Sequence, residues 1–189
     1  MSYIQWYLDE VSNILHQLPQ DQIAEIIRTL ELARMDGKHI FLIGNGGSAA
    51  TASHFATDIG KGASYGKPVR FKVVALTDSM STITAYANDV GYEVIFAEQL
   101  RNLAQPGDVL VTISGSGTSP NIIRAIEAAQ GIGLDVVSLT GFEGGVSGPM
   151  SDIHINVPSD HMGRIEDVHM ALCHAAAFFF MDNDDHTAH

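Results

Sequence analysis

Five short apolar runs, each closed by a turn residue and spaced by helix-forming segments, constrain this chain more than any other feature. They are HIFLI before Gly44, FKVVAL before Thr77, DVLVTI before Ser114, DVVSL before Thr140 and DIHINV before Pro158. Runs rich in β-branched residues read as buried strands. The segments between them predict helices over Ser48–Gly60, Ser81–Asn88, Ile95–Ala104 and Ser119–Ile132, and a long final helix over Met162–Asp182. Strands alternating with helices give a parallel sheet covered on both sides, a doubly wound α/β domain.

Two helical stretches precede the first strand. Ile4, Leu8, Val11 and Leu15 recur at helical spacing, and after Pro19 so do Ile23, Ile26, Ile27, Leu30 and Leu32. This N-terminal helical pair either packs on the domain's own sheet or serves an interface between copies; the spacing alone leaves both open. No internal linker or repeat divides the chain. It reads as one domain with a helical pair over 1–37, an α/β core over 38–182 and a frayed tail over 183–189.

Charge and composition narrow the partners. Lys and Arg number 10 against 22 Asp and Glu, a net charge of -12, which excludes the basic footprint that nucleic acid needs. A small phosphorylated metabolite remains compatible, because local dipoles can hold an anion against a global charge. Cys173 is the one cysteine, so a reducing, cytoplasmic setting is expected, and the start of the chain reads as neither a secretory signal nor a membrane span.

Two loops stand out at carboxyl ends of strands; either one alone reads equally as a tight strand-to-helix turn, and the two together point to a ligand site. Gly44-Asn45-Gly46-Gly47-Ser48 follows HIFLI, and Ser114-Gly115-Ser116-Gly117-Thr118-Ser119 follows DVLVTI. Glycines let backbone approach an anion, free amides at a helix start donate to it, and serine hydroxyls add donors. The first loop also satisfies a loose dinucleotide fingerprint, Gly44-x-Gly46-x-x-Ala49. That motif wants an acid about 20 positions on. Here the second strand ends near Asp78, about 30 on, and a dinucleotide leaves the second loop unexplained.

GNGGS, ISGSGTSPNII and LTGFEGG, in this order after the first, third and fourth strands, resemble the SIS (sugar isomerase) domain. ASHFATDIG, AYANDVGYEVIFAEQL and RIEDVHMALCH are similar to its phosphoheptose isomerase branch. The resemblance implies a five-stranded parallel sheet and a homotetramer with active sites at subunit interfaces. It implies a reaction between sedoheptulose 7-phosphate and a heptose aldose phosphate. By position, Ser48, Ser114, Ser116 and Ser119 would hold the phosphate, together with Gly46, Gly47 and Gly115 of the two loops. Asn45, Asp89 and Glu166 would line the sugar, and Asp58 and His174 would be catalytic. A divalent metal, zinc in some members, would be held by His54, Asp58, Glu166 and His174. Four positions depart from the family pattern: Asp58 stands for Glu, Glu166 for Gln, Gly115 for Thr and Gly62 for Arg.

The implied residues suit the chemistry. Aldose–ketose isomerisation passes a proton between neighbouring carbons through an enediol, with a base at carbon and an acid or a metal at the carbonyl oxygen. His54 and Asp58 are four apart and share a helix face. Glu166 and His174, eight apart, lie about 80° from each other around their helix and would converge on the site, with His174 coming from a neighbouring subunit. His169, about 140° from His174, would make a different contact. Cys173 would be a buried thiol, and His186 and His189 exposed tail residues. The reading from another class is a non-catalytic SIS adaptor or a sugar-phosphate sensor acting through protein contacts.

Overall fold

A computed structural model describes residues 2–183. The five apolar runs form β1 (His39–Gly44), β2 (Lys72–Ala75), β3 (Val109–Ser114), β4 (Asp135–Thr140) and β5 (Ile153–Asn156), all parallel, in the order β2-β1-β3-β4-β5. The helices are α1 (Tyr3–Gln17), α2 (Gln20–Met35), α3 (Gly47–Thr57), α4 (Met80–Asp89), α5 (Ala97–Leu103), α6 (Pro120–Ile132) and α7 (Met162–Asn183). The doubly wound sheet is therefore as expected. Of the tail, Asn183 ends α7, and 184–189, with His186 and His189, lie outside the described residues.

Each central strand feeds both faces of the sheet. Ile40 and Leu42 of β1 and Val109, Val111 and Ile113 of β3 point into a core shared with α2, α3 and α7. Phe41 and Ile43 of β1 and Leu110 of β3 point the other way, among residues of α5 and α6. Two buried faces remove the polar alternation that a half-exposed strand would show. Helix α3 leaves β1 toward one face and α6 leaves β3 toward the other, so the loops after β1 and β3 part at a switch point of the sheet. That is where ligands of open α/β sheets collect.

The N-terminal pair divides its roles. Helix α2 buries Ile26, Leu30 and Ala33 against the sheet face. Helix α1 buries Ile14 and leaves Tyr3, Ile4, Trp6, Leu8 and Leu15 exposed. Its hold on α7 is largely polar. Tyr7 donates to Asp167 Oδ2 at 2.6 Å, and Arg164 stacks under Trp6 at 4.2 Å from the ring centroid. Accepting from that phenol, Asp167 pushes the Tyr7 pKa up to about 12.

Helix α7 is anchored at both ends. At its far end Phe180 meets Phe71 edge-on, with Arg34 over both rings. Nearer its start His169 is wholly buried and its Nε2–H donates to the carbonyl of Thr140, 3.0 Å away. It thus makes the separate contact expected of it, as a strut between α7 and the tip of β4. His169 Nδ1 is buried with no hydrogen-bond partner, which suits a neutral ring, and burial depresses its pKa to about 4.

A depressed histidine pKa means the unfolded chain takes up the proton first. The stability His169 confers is complete above its free value of 6.5 and is lost as pH falls toward about 4. Between pH 7 and 4.5 this amounts to about 2 kcal/mol. His169→Gln should flatten the pH dependence of chemical unfolding by about that amount relative to wild type. Identical pH slopes for the two proteins would remove the buried histidine as a source of acid lability.

Candidate active site

The site begins at the end of β1. Asn45 leaves the strand and its amide exchanges two hydrogen bonds with Asn121 of α6, at 2.9 and 2.8 Å. The phenol of Tyr92 donates to Asn45 Oδ1 at 3.0 Å. Asn121 and Tyr92 thus fix the first loop to the start of α6, and neither was singled out from the sequence. The asparagine of SPNII, in the first turn after Pro120, was the available signal. Gly46 and Gly47 are exposed, and Ser48 is buried in the first turn of α3. The amides of Ala49 and Ala50 already bond to the Asn45 and Gly46 carbonyls.

The second loop is internally braced. Ser114 Oγ accepts from the amide of Gly117, and Ser116 Oγ accepts from both the amide and the hydroxyl of Thr118. With their oxygens occupied by the loop's own donors, the serine protons remain to donate outward. Ser119 caps α6, whose first amides bond to its carbonyl. Asp89 lies apart, exposed at the end of α4, where its carboxylate accepts from Asn88.

Helix α7 lies across both loops and then runs beside α3. At its start Ile165 packs on Gly141, and Glu166 lies on Gly47. Two turns on, His174 reaches His54, with the Nε2 atoms 3.0 Å apart. Near its end Met181 packs on Gly62. Matching positions advance together, so the two helices run parallel. A β-carbon on Gly115 would lie 2.6 Å from Met162 Sδ, and one on Gly62 would overlap the methyl of Met181. Two of the four positions expected to depart from the family pattern thus face methionines of α7.

His54, Asp58 and His174 form one cluster within a single chain. The separations are 3.0 Å between the two Nε2 atoms and 3.2 and 3.8 Å from His54 and His174 to Asp58 Oδ2. The expectation that His174 comes from a neighbouring subunit is not needed to build it, because the parallel α3–α7 pairing supplies it. Asp58 opens a π-helical turn, Asp58–Gly62, that extends α3, with the Ala63 amide bonded to its carbonyl at 2.9 Å. Such turns recur at functional positions.

The cluster suits a small cation. Asp58 Oδ2 is buried without a hydrogen-bond partner, and three lone-pair-bearing atoms point at one another. Ligands on a tetrahedral zinc, with bonds of about 2.0–2.1 Å, stand about 3.3 Å apart. The three observed separations bracket that value. Glu166, the fourth expected ligand, lies outside the cluster. The angle around α7 was favourable, but eight residues also climb about 12 Å along the axis. That rise carries Glu166 to the level of Gly47, where a β-carbon would meet its Oε1 at 2.7 Å.

Cys173, next to His174, faces the core, and burial followed by the Asp58 charge pushes its thiol up to about 12. It stays protonated and inert. A cleft of about 560 Å³ is lined by Glu10, Asn13, Phe142 and Arg164 among others. It contains no loop serine and no cluster residue, and the convergent chemistry lies elsewhere.

Known proteins resemble this chain in sequence and in fold. Residues 6–141 match the SIS domain family. A phosphoheptose isomerase of Azoarcus sp. (strain BH72) is 43% identical over 155 residues, covering 80% of this chain and 78% of that protein. One from Shewanella halifaxensis (strain HAW-EB4) is 41% identical over 170 residues, covering 88% and 84%. The solved phosphoheptose isomerase of Neisseria gonorrhoeae superposes with a TM-score of 0.86 at 33% identity, covering 94% of this chain and 96% of that one.

The seat of α7 on the loops can be tested directly. A β-carbon on Gly141 would fall 2.6 Å from Cγ1 and Cγ2 of fully buried Ile165 and closer still to its Cδ1. Gly141→Ala should cost about 1–3 kcal/mol in chemical unfolding. Adding Ile165→Val should recover part of that loss, and strictly additive losses would contradict the contact.

Proposed function

The chain belongs to the SIS domain family and, within it, to the phosphoheptose isomerases; from that premise we propose how its residues carry out the isomerisation. It is a phosphosugar isomerase of the aldose–ketose type. The substrate we assign is sedoheptulose 7-phosphate, the one the sequence resemblance implies. The observation that carries the mechanism is the convergence of Asp58, His54 and His174, about two turns along α3 from the first glycine–serine loop.

The phosphate is held by Ser48, Ser114, Ser116 and Ser119 through neutral donors, which fixes one end of the sugar. Asn45, Asp89 and Glu166 line the hydroxyls. The other end reaches the cluster, where Asp58 takes the proton from one carbon and returns it to its neighbour. Oδ2 faces the histidines, leaving Oδ1 to receive that proton. His174 serves the oxygen as the enediol forms and collapses. His54, Asp58 and His174 would hold a zinc ion, which when bound supplies carbonyl polarisation. A non-catalytic adaptor or sensor is not favoured, since the carboxylate and both histidines are in place.

We further assign a homotetramer with active sites at subunit interfaces, supported by the apolar face that α1 leaves exposed at Tyr3, Ile4, Trp6 and Leu8. Exposed Asp89 would then meet substrate with a neighbour's help. Light scattering should give four times the chain mass, and a monomer at micromolar concentration would overturn this assembly. A cytoplasmic setting is supported by the single, buried thiol. Among the described residues no helix is long and apolar enough to cross a membrane.

Loss of a general acid or base costs about 10²–10⁴ in rate. His174→Ala and Asp58→Asn should each lower turnover of sedoheptulose 7-phosphate at least about a hundredfold, with the circular dichroism spectrum unchanged. Both should also lower the zinc retained after dialysis, measured by elemental analysis. Asp58→Glu, restoring the family residue, should keep turnover within about tenfold of wild type. Wild type and all variants equally inert on every ketose phosphate would defeat the reading.

A further inference from the structure

We propose that Asn121 and Tyr92 are positioning residues for the sugar: together they hold the side-chain amide of Asn45 in one orientation and leave it a single N–H to offer. This rests on the isomerase reading above, in which Asn45 lines the sugar, and deepens it.

The orientation follows from one unambiguous donor. The backbone N–H of Ile122, shared with the Ser119 carbonyl, reaches the side chain of Asn121 at 3.1 Å. A backbone amide can only donate, so the atom it meets is Oδ1. That oxygen also accepts from Asn45 Nδ2 at 2.9 Å, and Asn121 Nδ2 donates back to Asn45 Oδ1 at 2.8 Å. The phenol of Tyr92, 3.0 Å from the same Asn45 Oδ1, is then the donor, because a carboxamide oxygen has no proton to give. Both lone pairs of Asn45 Oδ1 are filled, and one of its two amide protons is engaged. What remains for a substrate is one N–H and no acceptor.

The two anchors come from different elements. Asn121 lies in the first turn of α6 and is 1% exposed, so its amide is held by burial. Tyr92 is half exposed in the short turn that follows α4, three residues beyond Asp89. Its hydroxyl thereby ties the segment that carries Asp89 to the end of β1. A sugar hydroxyl can give a proton or take one, but on meeting Asn45 it can only take one. Its own proton is then free for an acceptor, and the carboxylate of Asp89, on the tethered segment, is one. An amide free to turn would offer oxygen as readily as N–H and would set no such sense.

Kinetics of the full chain with sedoheptulose 7-phosphate test this. Tyr92→Phe, which removes only the hydroxyl, should raise KM about fivefold, the size expected from one neutral hydrogen bond, with kcat within about twofold of wild type. A merely structural role would instead lower kcat through the folded fraction and leave KM unmoved. In the Asn45→Ala background the same change should alter KM by less than about twofold, because Tyr92 then has nothing to position. A rise of the same size persisting there would overturn the proposal, since Tyr92 would be meeting the sugar itself. Asn121→Ala should raise KM at least as much and lose its effect in the same background; if that variant does not fold, the Tyr92 cycle decides. The side-chain amide of Asn45, recognised in nitrogen–proton spectra by its absence from Asn45→Ala, adds a reading without turnover. Its protons should exchange with water about fivefold faster in Tyr92→Phe, and an unchanged rate would overturn the link. A wild type inert on the sugar would defeat the isomerase reading instead, and the exchange rates would still decide the role of Tyr92.

Discussion

The parallel seating of α7 against α3 is the constraint on which the site depends. Seven residues along α3, from Gly47 to His54, match eight along α7, from Glu166 to His174. That register delivers a carboxylate to one end of α3 and a histidine to the other. It is held by contacts remote from the chemistry: Phe180 on Phe71, Ile165 in the space over Gly141, and the His169 strut to Thr140. Sliding α7 by one turn would move its side chains about 5.4 Å and dissolve the histidine pair.

The same seating bears on four positions that the sequence singled out. Gly62 and Gly115 are small where methionines of α7 press in, and methionine fills irregular gaps readily. Asp58 is the shorter acid, yet the π turn that it opens still brings Oδ2 to 3.2 Å from His54. Glu166 puts a charge beside the first loop in a protein that is already strongly acidic. An anionic substrate therefore depends on local donors, the serine hydroxyls and helix-start amides, rather than on the field of the whole molecule.

Much of this was legible in the residues. The five runs became the five strands to within a residue or two; the three central ones carry a nearly uninterrupted apolar signal because both their faces are buried. The two loops were legible as links from buried strands into helices, and they fall at the switch point because α3 and α6 leave toward opposite faces of the sheet. His54 and Asp58 were legible as neighbours, since four residues on one helix fix their contact. The Asn45–Asn121–Tyr92 link was not, because it joins segments 76 and 47 residues apart and has no local period. Nor was the division between α1 and α2, whose apolar spacings look alike although one packs on the sheet and the other stays open.

The sequence by itself determined the layers, the strand positions and the chemical types gathered at the loops, because these follow from periodicities of two and 3.6 residues and from turn chemistry. The tertiary structure alone decided which of those residues meet. Glu166 and His174 point in similar directions from one helix, and the angle between them can be counted from the sequence. What cannot be counted is the height at which that helix docks. Docking is set by packing among α2, α3, β4 and α7, and it sent one of the pair to the cluster and the other to Gly47.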